Sequence, residues 1–173
     1  MTGALLRLRQ GTRALRAWVH PVDDHIAAAY LSPSLLALFQ QMRPGERQHS
    51  LNVLHTLQAR GETHPALRTA ALLHDCGKAR FPYWLWERAI VVIVGRLAPR
   101  RAIQWGASAP EGWRRSFVVN RQHPAWGAEM AAAAGADSLA VELIASHQCK
   151  LDHRPSNEFE RLLVVLQAAD DMN

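Results

Sequence analysis

The residues best suited to chemistry are His74 and Asp75, side by side where an apolar helix, Ala66 to Leu73, is about to end. An imidazole nitrogen beside a carboxylate oxygen is a ligand pair for zinc, manganese or iron. Gly77 is the expected helix stop, since glycine takes the left-handed conformation at little cost. Adjacent residues at such an end can both point into one cleft. Lys78 follows as a cation for a substrate anion, phosphate above all. One His-Asp pair is often present without a metal, so the reading depends on further ligands elsewhere in the chain.

Candidates for those ligands are polar residues on apolar faces. Asp170 continues the stripe Phe159, Leu162, Leu163, Leu166, so its carboxylate is expected to face the core. A buried carboxylate without a cation or strong donors costs several kcal/mol or becomes protonated. Asp171 projects roughly 100° away and is expected in solvent. His49 shares a face with Val53 and Leu57 at four-residue spacing. His147 ends a helix whose inward side includes Leu143 and Ile144, and His123 stands immediately before Pro124. Taken singly, each histidine fits a satisfied core or capping role. As the ordered set His49, His74-Asp75, His123, His147, Asp170, they make coincidence the poorer explanation.

That order, with Leu-Leu-His-Asp-Cys-Gly-Lys at its centre, resembles the HD superfamily of metal-dependent phosphohydrolases. The HDIG subgroup, whose central motif reads His-Asp-Ile-Gly-Lys, is the nearest match. Arg47-Gln48-His49-Ser50-Leu51 resembles the helix of the family's first histidine, and His123-Pro124 with Gly127-Ala128-Glu129 resembles its third block. The likeness runs from about Gly45 to Asp170. It implies that His49, His74, Asp75 and Asp170 hold one divalent transition metal (iron, manganese or zinc). Asp75 would bridge to a second, held by His123 and His147. Asp75 and Lys78 would be the catalytic residues, with Lys78 and Arg47 contacting a phosphorylated small molecule, a nucleotide by preference; His153 is a further candidate for that contact because its loop follows the site. The reaction implied is attack of metal-activated water on a phosphate ester.

The chain departs from the pattern at Cys76, which replaces the isoleucine, and at His147-Gln148, where related branches carry two histidines. Leu151-Asp152-His153-Arg154-Pro155 replaces the Gly-Tyr-Pro signature of the cyclic-di-GMP phosphodiesterases, which argues against that substrate. Two other functions stand beside hydrolysis. One is an oxygenase using a di-iron site on the same fold, and the other is a regulatory module without catalysis. His20, His25, His55 and His64 match no ligand position and are expected at the surface or in caps.

The elements that must position these residues read as helices throughout. A chain of 173 residues that is 49% hydrophobic can fold as one domain with a substantial core. The expected architecture is an all-α single-domain bundle of the HD type, with a helical extension over 1–44 packed on an HD domain over 45–173. A basic amphipathic helix is expected over Leu5 to Val19, and a short one from Asp23 or Asp24 through Tyr30. Ser32-Pro33 opens a helix to about Met42, and Pro44-Gly45 interrupts. Helices then cover Glu46 to Arg60, ending at Gly61, and Ala66 to Leu73. Trp84 to Leu97 follows, stopped by Pro99 and read as buried rather than lying on a membrane surface. The stretch 100–120 reads as a loop or short helical pieces. Pro124 begins a helix to Ala134, Asp137 or Ser138 caps one through His147, and Asn157 with Glu160 resembles a capping box for the last.

Two cysteines, Cys76 and Cys149, are too few for a disulfide framework, and with no signal sequence or membrane span they fit the cytoplasm. The net charge of +5, carried almost wholly by arginine, favours anionic partners. Nucleic acid is compatible with that charge, but a small phosphorylated molecule is preferred.

Overall fold

Proline at the first turn opens four of the helices, at Pro33, Pro44, Pro65 and Pro99. A first-turn residue has no helical partner for its N–H, so the donor proline lacks is not missed there. The structure, a computed structural model, describes residues 22–81 and 85–173. The helix expected over Leu5 to Val19 lies outside them. In chain order the helices are α1 (Asp24–Ala28), α2 (Pro33–Gln40), α3 (Pro44–Ala59), α4 (Pro65–Leu73), a 3-10 turn (Cys76–Arg80), α5 (Leu85–Leu97) and α6 (Pro99–Gly106). A second 3-10 turn (Gly112–Arg114), α7 (Arg115–Ala133), α8 (Ser138–Ser146) and α9 (Glu158–Asp170) complete them. Among the described residues there is no strand, and the fold is all-α as the sequence predicts.

The caps follow side-chain chemistry. Asp23 accepts from the His25 amide, Ser32 from Leu35 and Asp137 from Leu139. Asn157 caps α9 by accepting from the Glu160 amide, but the reciprocal half of the expected box is absent. The Glu160 carboxylate instead takes the Ser156 amide and hydroxyl at 2.7 and 2.8 Å. Gly61 ends α3 at φ +77°, where a side chain would be strained.

α4 lies at the centre of the bundle, against α2, α3, α8 and α9. Its Leu67, Ala70, Ala71, Leu72 and Leu73 are fully buried with Leu54 and Leu57 of α3, Leu143 and Ile144 of α8, and Leu162 and Leu166 of α9. α1 and α2 join the same core through Ala27, Leu35, Leu38 and Phe39. The spacing that brings His49, His147 and Asp170 inward is thus the spacing of the core itself.

Helices break before Pro44 and Pro99 as the sequence predicts, each proline also beginning the next helix, and 100–120 holds short helical pieces, namely α6, the second 3-10 turn and the start of α7. Two other expectations are corrected. Pro124 does not begin a helix. It lies inside α7, which runs unbroken over nineteen residues and buries His123 in its middle. A mid-helix proline leaves the carbonyl four residues earlier, that of Asn120, without its amide. Asn120 is solvent-exposed, so water can satisfy that group. Finally, Gly77 is not a left-handed stop, because the positive-φ glycines among the described residues are Gly61, Gly112 and Gly135. A Cβ at Gly77 would lie 2.1 Å from the His123 carbonyl oxygen and 2.6 Å from the Gly127 nitrogen. Glycine is needed there because the 3-10 turn lies directly on the backbone of α7. Gly127 meets it from the other side, 3.2 Å from the Gly77 nitrogen by the same measure.

α5 and α6 form an arm against the first half of α7. α5 was expected to be buried, and it is not. Glu87 and Val91 are buried, Glu87 against Arg115 of α7, whereas Trp86, Ile90, Ile93 and Leu97 are exposed. The helix is apolar on both sides, and periodicity alone reads such a helix as core.

Candidate metal centre

α4 ends at Leu73, and the chain leaves through His74 in helical conformation and Asp75 at φ −97°, ψ 0°. This tight exit turns both side chains into the bundle, where both are buried. The His74 Nε2 lies 3.7 Å from Asp75 Oδ2 and 3.7 Å from Asp170 Oδ1. His49 Nε2 lies 2.8 Å from the same Asp170 oxygen. On the other side of Asp75, Oδ1 is 3.3 Å from His123 Nε2, which is 3.2 Å from His147 Nε2. The six side chains form two groups, His49-His74-Asp170 and Asp75-His123-His147, each with ligand atoms within 4.8 Å of one another. Asp75 stands between them with one oxygen toward each.

Three of the rings are aimed by the backbone. His74 Nδ1 lies 3.0 Å from the Ala71 carbonyl, His123 Nδ1 3.0 Å from that of Val119, and His147 Nδ1 2.8 Å from that of Ile144. A carbonyl oxygen only accepts, so each Nδ1 carries the proton and donates it. In the neutral ring Nε2 is then left as a lone pair pointing into the site.

The charges agree with this assignment. Burial, followed by the neighbouring His74 and His123, pushes the His147 imidazole down to about 3, so it is neutral near pH 7. Burial also lowers His74, outweighing the pull of Asp75 and Asp170. Burial alone would raise Asp75, but the Lys78 ammonium, 2.6 Å away, holds it well below the usual carboxylate range. For Asp170 the upward push of burial is overcome by the His49 hydrogen bond and by His74.

The residues present fit a metal. His74 Nε2 is buried with no hydrogen-bond partner. Asp75 Oδ1, His123 Nε2 and His147 Nε2 converge within 4.8 Å of one another, and the Gln148 amide reaches only His123 Nε2, at a long 3.5 Å. Unsatisfied buried acceptors cost about 1–3 kcal/mol each, and a cation answers all of them at once. Imidazole nitrogens mixed with carboxylate oxygens suit zinc, manganese or iron.

Lys78, on the 3-10 turn, places Nζ 2.6 Å from Asp75 Oδ2. The other two expected substrate contacts do not join the cluster. Arg47 is ion-paired with Asp24 of α1. His153 bonds Asp152 at 3.0 Å and Glu160 at 3.2 Å, which ties it to the first turn of α9. Ten residues of helix at 1.5 Å each separate that turn from Asp170, roughly 15 Å. Of the unassigned histidines, His64 is the N-cap residue of α4, 3.6 Å from Glu158, and His55 is exposed. His20 lies outside the described residues.

Sequence reasoning missed Gln167. Its amide donates to the carbonyls of His147 at 3.0 Å and Cys149 at 2.8 Å, tying the end of α8 to α9 and so placing the His147 ring. A half-buried glutamine one turn before Asp170 was the available signal. Gln148, where a second histidine would stand, brings its amide nitrogen to 3.5 Å from His123 Nε2. Cys76 is not a reactive thiol: burial, with Asp75 nearby, pushes it up to about 12.

A family model of the HD domain matches residues 47–172, most of the chain. The chain belongs to the HD-domain family. No curated protein and no solved structure matches it significantly. HD-domain proteins are mostly metal-dependent phosphohydrolases, and the family binds divalent metals. The matched span begins two residues before His49 and ends two after Asp170, so every residue of both groups falls inside the HD domain. Among the described residues no helix is long and apolar enough to cross a membrane.

Proposed function

We propose that this HD-domain protein is a metal-dependent phosphohydrolase acting on a phosphate ester of a nucleotide or related small molecule. The observation that carries the reading is Asp75, whose two oxygens address two separate groups of ligand atoms. His49, His74, Asp75 and Asp170 would hold one divalent ion, and Asp75, His123 and His147 a second. When bound, the ions would supply an activated water and neutralise charge on phosphoryl oxygens. Lys78 sits at the edge of this arrangement and presents its ammonium to the substrate anion while orienting Asp75. The Nδ1 bonds of His74, His123 and His147 keep the rings from turning as charge develops. Arg47 and His153, both engaged elsewhere, are not required by this reading. The test is metal analysis of the purified protein with a screen of nucleotide phosphate esters. No ester hydrolysis, together with an EPR signal from a mixed-valent iron pair, would move the reading to the oxygenase.

Lys78→Ala is expected to lower kcat by about 10²-fold, the scale of losing one preorganised charge, while bound metal stays at the wild-type level. An ammonium cannot ligate while protonated. Metal loss measured by plasma emission would show that the lysine holds the site together instead.

His123→Ala with His147→Ala should reduce bound metal from about two ions per chain to about one. The Asp75-His123-His147 group loses both its nitrogens, while the other group keeps all three ligands. If metal-replete wild type holds one ion and the double variant holds it equally well, the centre is mononuclear.

A further inference from the structure

The arm built from α5 and α6 has no part in the metal centre, and its outer surface is unusual for a protein exposed to water. Trp86, Ile90, Ile93 and Leu97 follow one another at intervals of four, three and four residues, so they share one face of α5. They are 62, 42, 54 and 82% exposed. A flank of the helix is already used: Glu87 and Val91 are buried, Glu87 against Arg115 of α7. Val92 and Ile103 add further exposed aliphatic surface. Trp113, also exposed, stacks edge-on to Trp105 of α6 with centroids 4.8 Å apart. Scattered exposed hydrophobes need no explanation, but a contiguous stripe marks a surface that something else covers.

The charges say what that is. From Leu85 to Ala109 the only acidic residue is Glu87, which is buried and bonded to Arg115 at 3.4 Å. Arg96 at the end of the stripe, and Arg100 and Arg101 at the start of α6, are exposed. A second copy docking through the same face would offer these arginines no carboxylate of the arm beyond Glu87, which is buried and bonded to Arg115. The chain's first 21 residues carry Arg7, Arg9, Arg13 and Arg16 and no acid, so they are also a poor electrostatic match. An apolar stripe with tryptophan at one end and arginines at the other fits an anionic lipid surface. There the aliphatic residues enter the acyl boundary, the indole sits at headgroup depth, and the guanidinium groups meet the phosphates. We infer that the α5–α6 arm docks this protein on the surface of membranes that contain acidic lipids, without spanning them.

The inference is independent of the proposed hydrolysis, and its test does not use activity. Full-length protein is sedimented with vesicles of phosphatidylcholine alone and with vesicles that also contain phosphatidylglycerol, at low and high salt. Binding to the acidic vesicles only, weakened by salt and accompanied by a blue shift of tryptophan emission, is the expected result. Ile90→Ser with Ile93→Ser should weaken binding by at least about tenfold through lost apolar burial. Arg100→Gln with Arg101→Gln should weaken it by roughly 25-fold, the combined effect of two basic groups near an acidic surface. Both pairs are exposed, so circular dichroism and metal content should match wild type. Failure to bind, or equal binding to neutral vesicles, would overturn the inference. So would light scattering showing a wild-type dimer that Ile90→Ser with Ile93→Ser dissolves, which would assign the stripe to self-association.

Discussion

Asp75→Asn should reduce turnover by at least about 10³-fold and lower bound metal, with helical content unchanged. The isosteric amide keeps the volume of a residue that packs at the exit of α4, so the fold has little reason to fail. What it removes is charge on two oxygens that do different work. Oδ1 faces His123, and Oδ2 faces both His74 and Lys78. An amide has one oxygen, and its NH2 end would aim donors at a lysine ammonium or at a histidine nitrogen meant for a cation. The Lys78 ammonium, only 15% exposed, would also lose its carboxylate. On the proposed two-ion reading both groups are damaged by one substitution, which no other ligand position can do. Metal content by plasma emission and turnover of a responsive phosphate ester check it together. Full turnover by purified Asp75→Asn would remove Asp75 from the chemistry.

Gly77→Ala should destabilise the fold by about 3 kcal/mol or more, a large effect for one methyl group. The added carbon would lie 2.1 Å from the His123 carbonyl oxygen, 2.6 Å from the Gly127 nitrogen and 2.9 Å from the His123 carbonyl carbon. All three are backbone atoms of α7, which cannot swing aside as a side chain would. Either the 3-10 turn lifts from α7, moving Lys78 and Asp75 away from His123, or the helix is displaced. Urea unfolding measures the loss, and metal binding by the fraction that still folds should also be weakened. Gly45→Ala, where a Cβ meets nothing within 4 Å, serves as the comparison and should change stability little. Equal stability of the two variants would mean that the close approach of turn and helix is not as drawn.

The site was more legible in the sequence than the frame that holds it. His49 and Asp170 announced themselves because a polar residue on an apolar stripe has to be answered by something. The apolar stripes are also what fold α3 and α9 onto α4. His123 was found for the wrong structural reason. Its neighbour Pro124 signals a helix start in most contexts, and only packing against α8 and the 3-10 turn carries α7 through it. Pro44 and Pro99 mark the breaks the sequence predicts, but not that each also starts a helix, since a proline that ends one helix and a proline that begins the next look alike in sequence. Gly77 was singled out correctly, but its contact is with His123 and Gly127 some fifty positions away, and no local pattern encodes that. α5 was unreadable in principle, because a helix apolar on more than one side has the same periodicity whether its second face meets protein or something else.

The three Nδ1 bonds of the metal centre also bear on how tightly it can bind. Each one fixes a histidine ring to a carbonyl of its own helix, so the rotations that ligation would otherwise have to freeze are frozen when the chain folds. Immobilising a side chain on binding costs about 0.5–1.5 kcal/mol. For three rings already held, this corresponds to roughly one to three orders of magnitude in affinity that the ion does not have to overcome. Each of those carbonyls in turn lies within four residues of its histidine, so a helix and the ligand it presents share one bond. For these three rings the ordering entropy is therefore settled during folding, before any ion arrives.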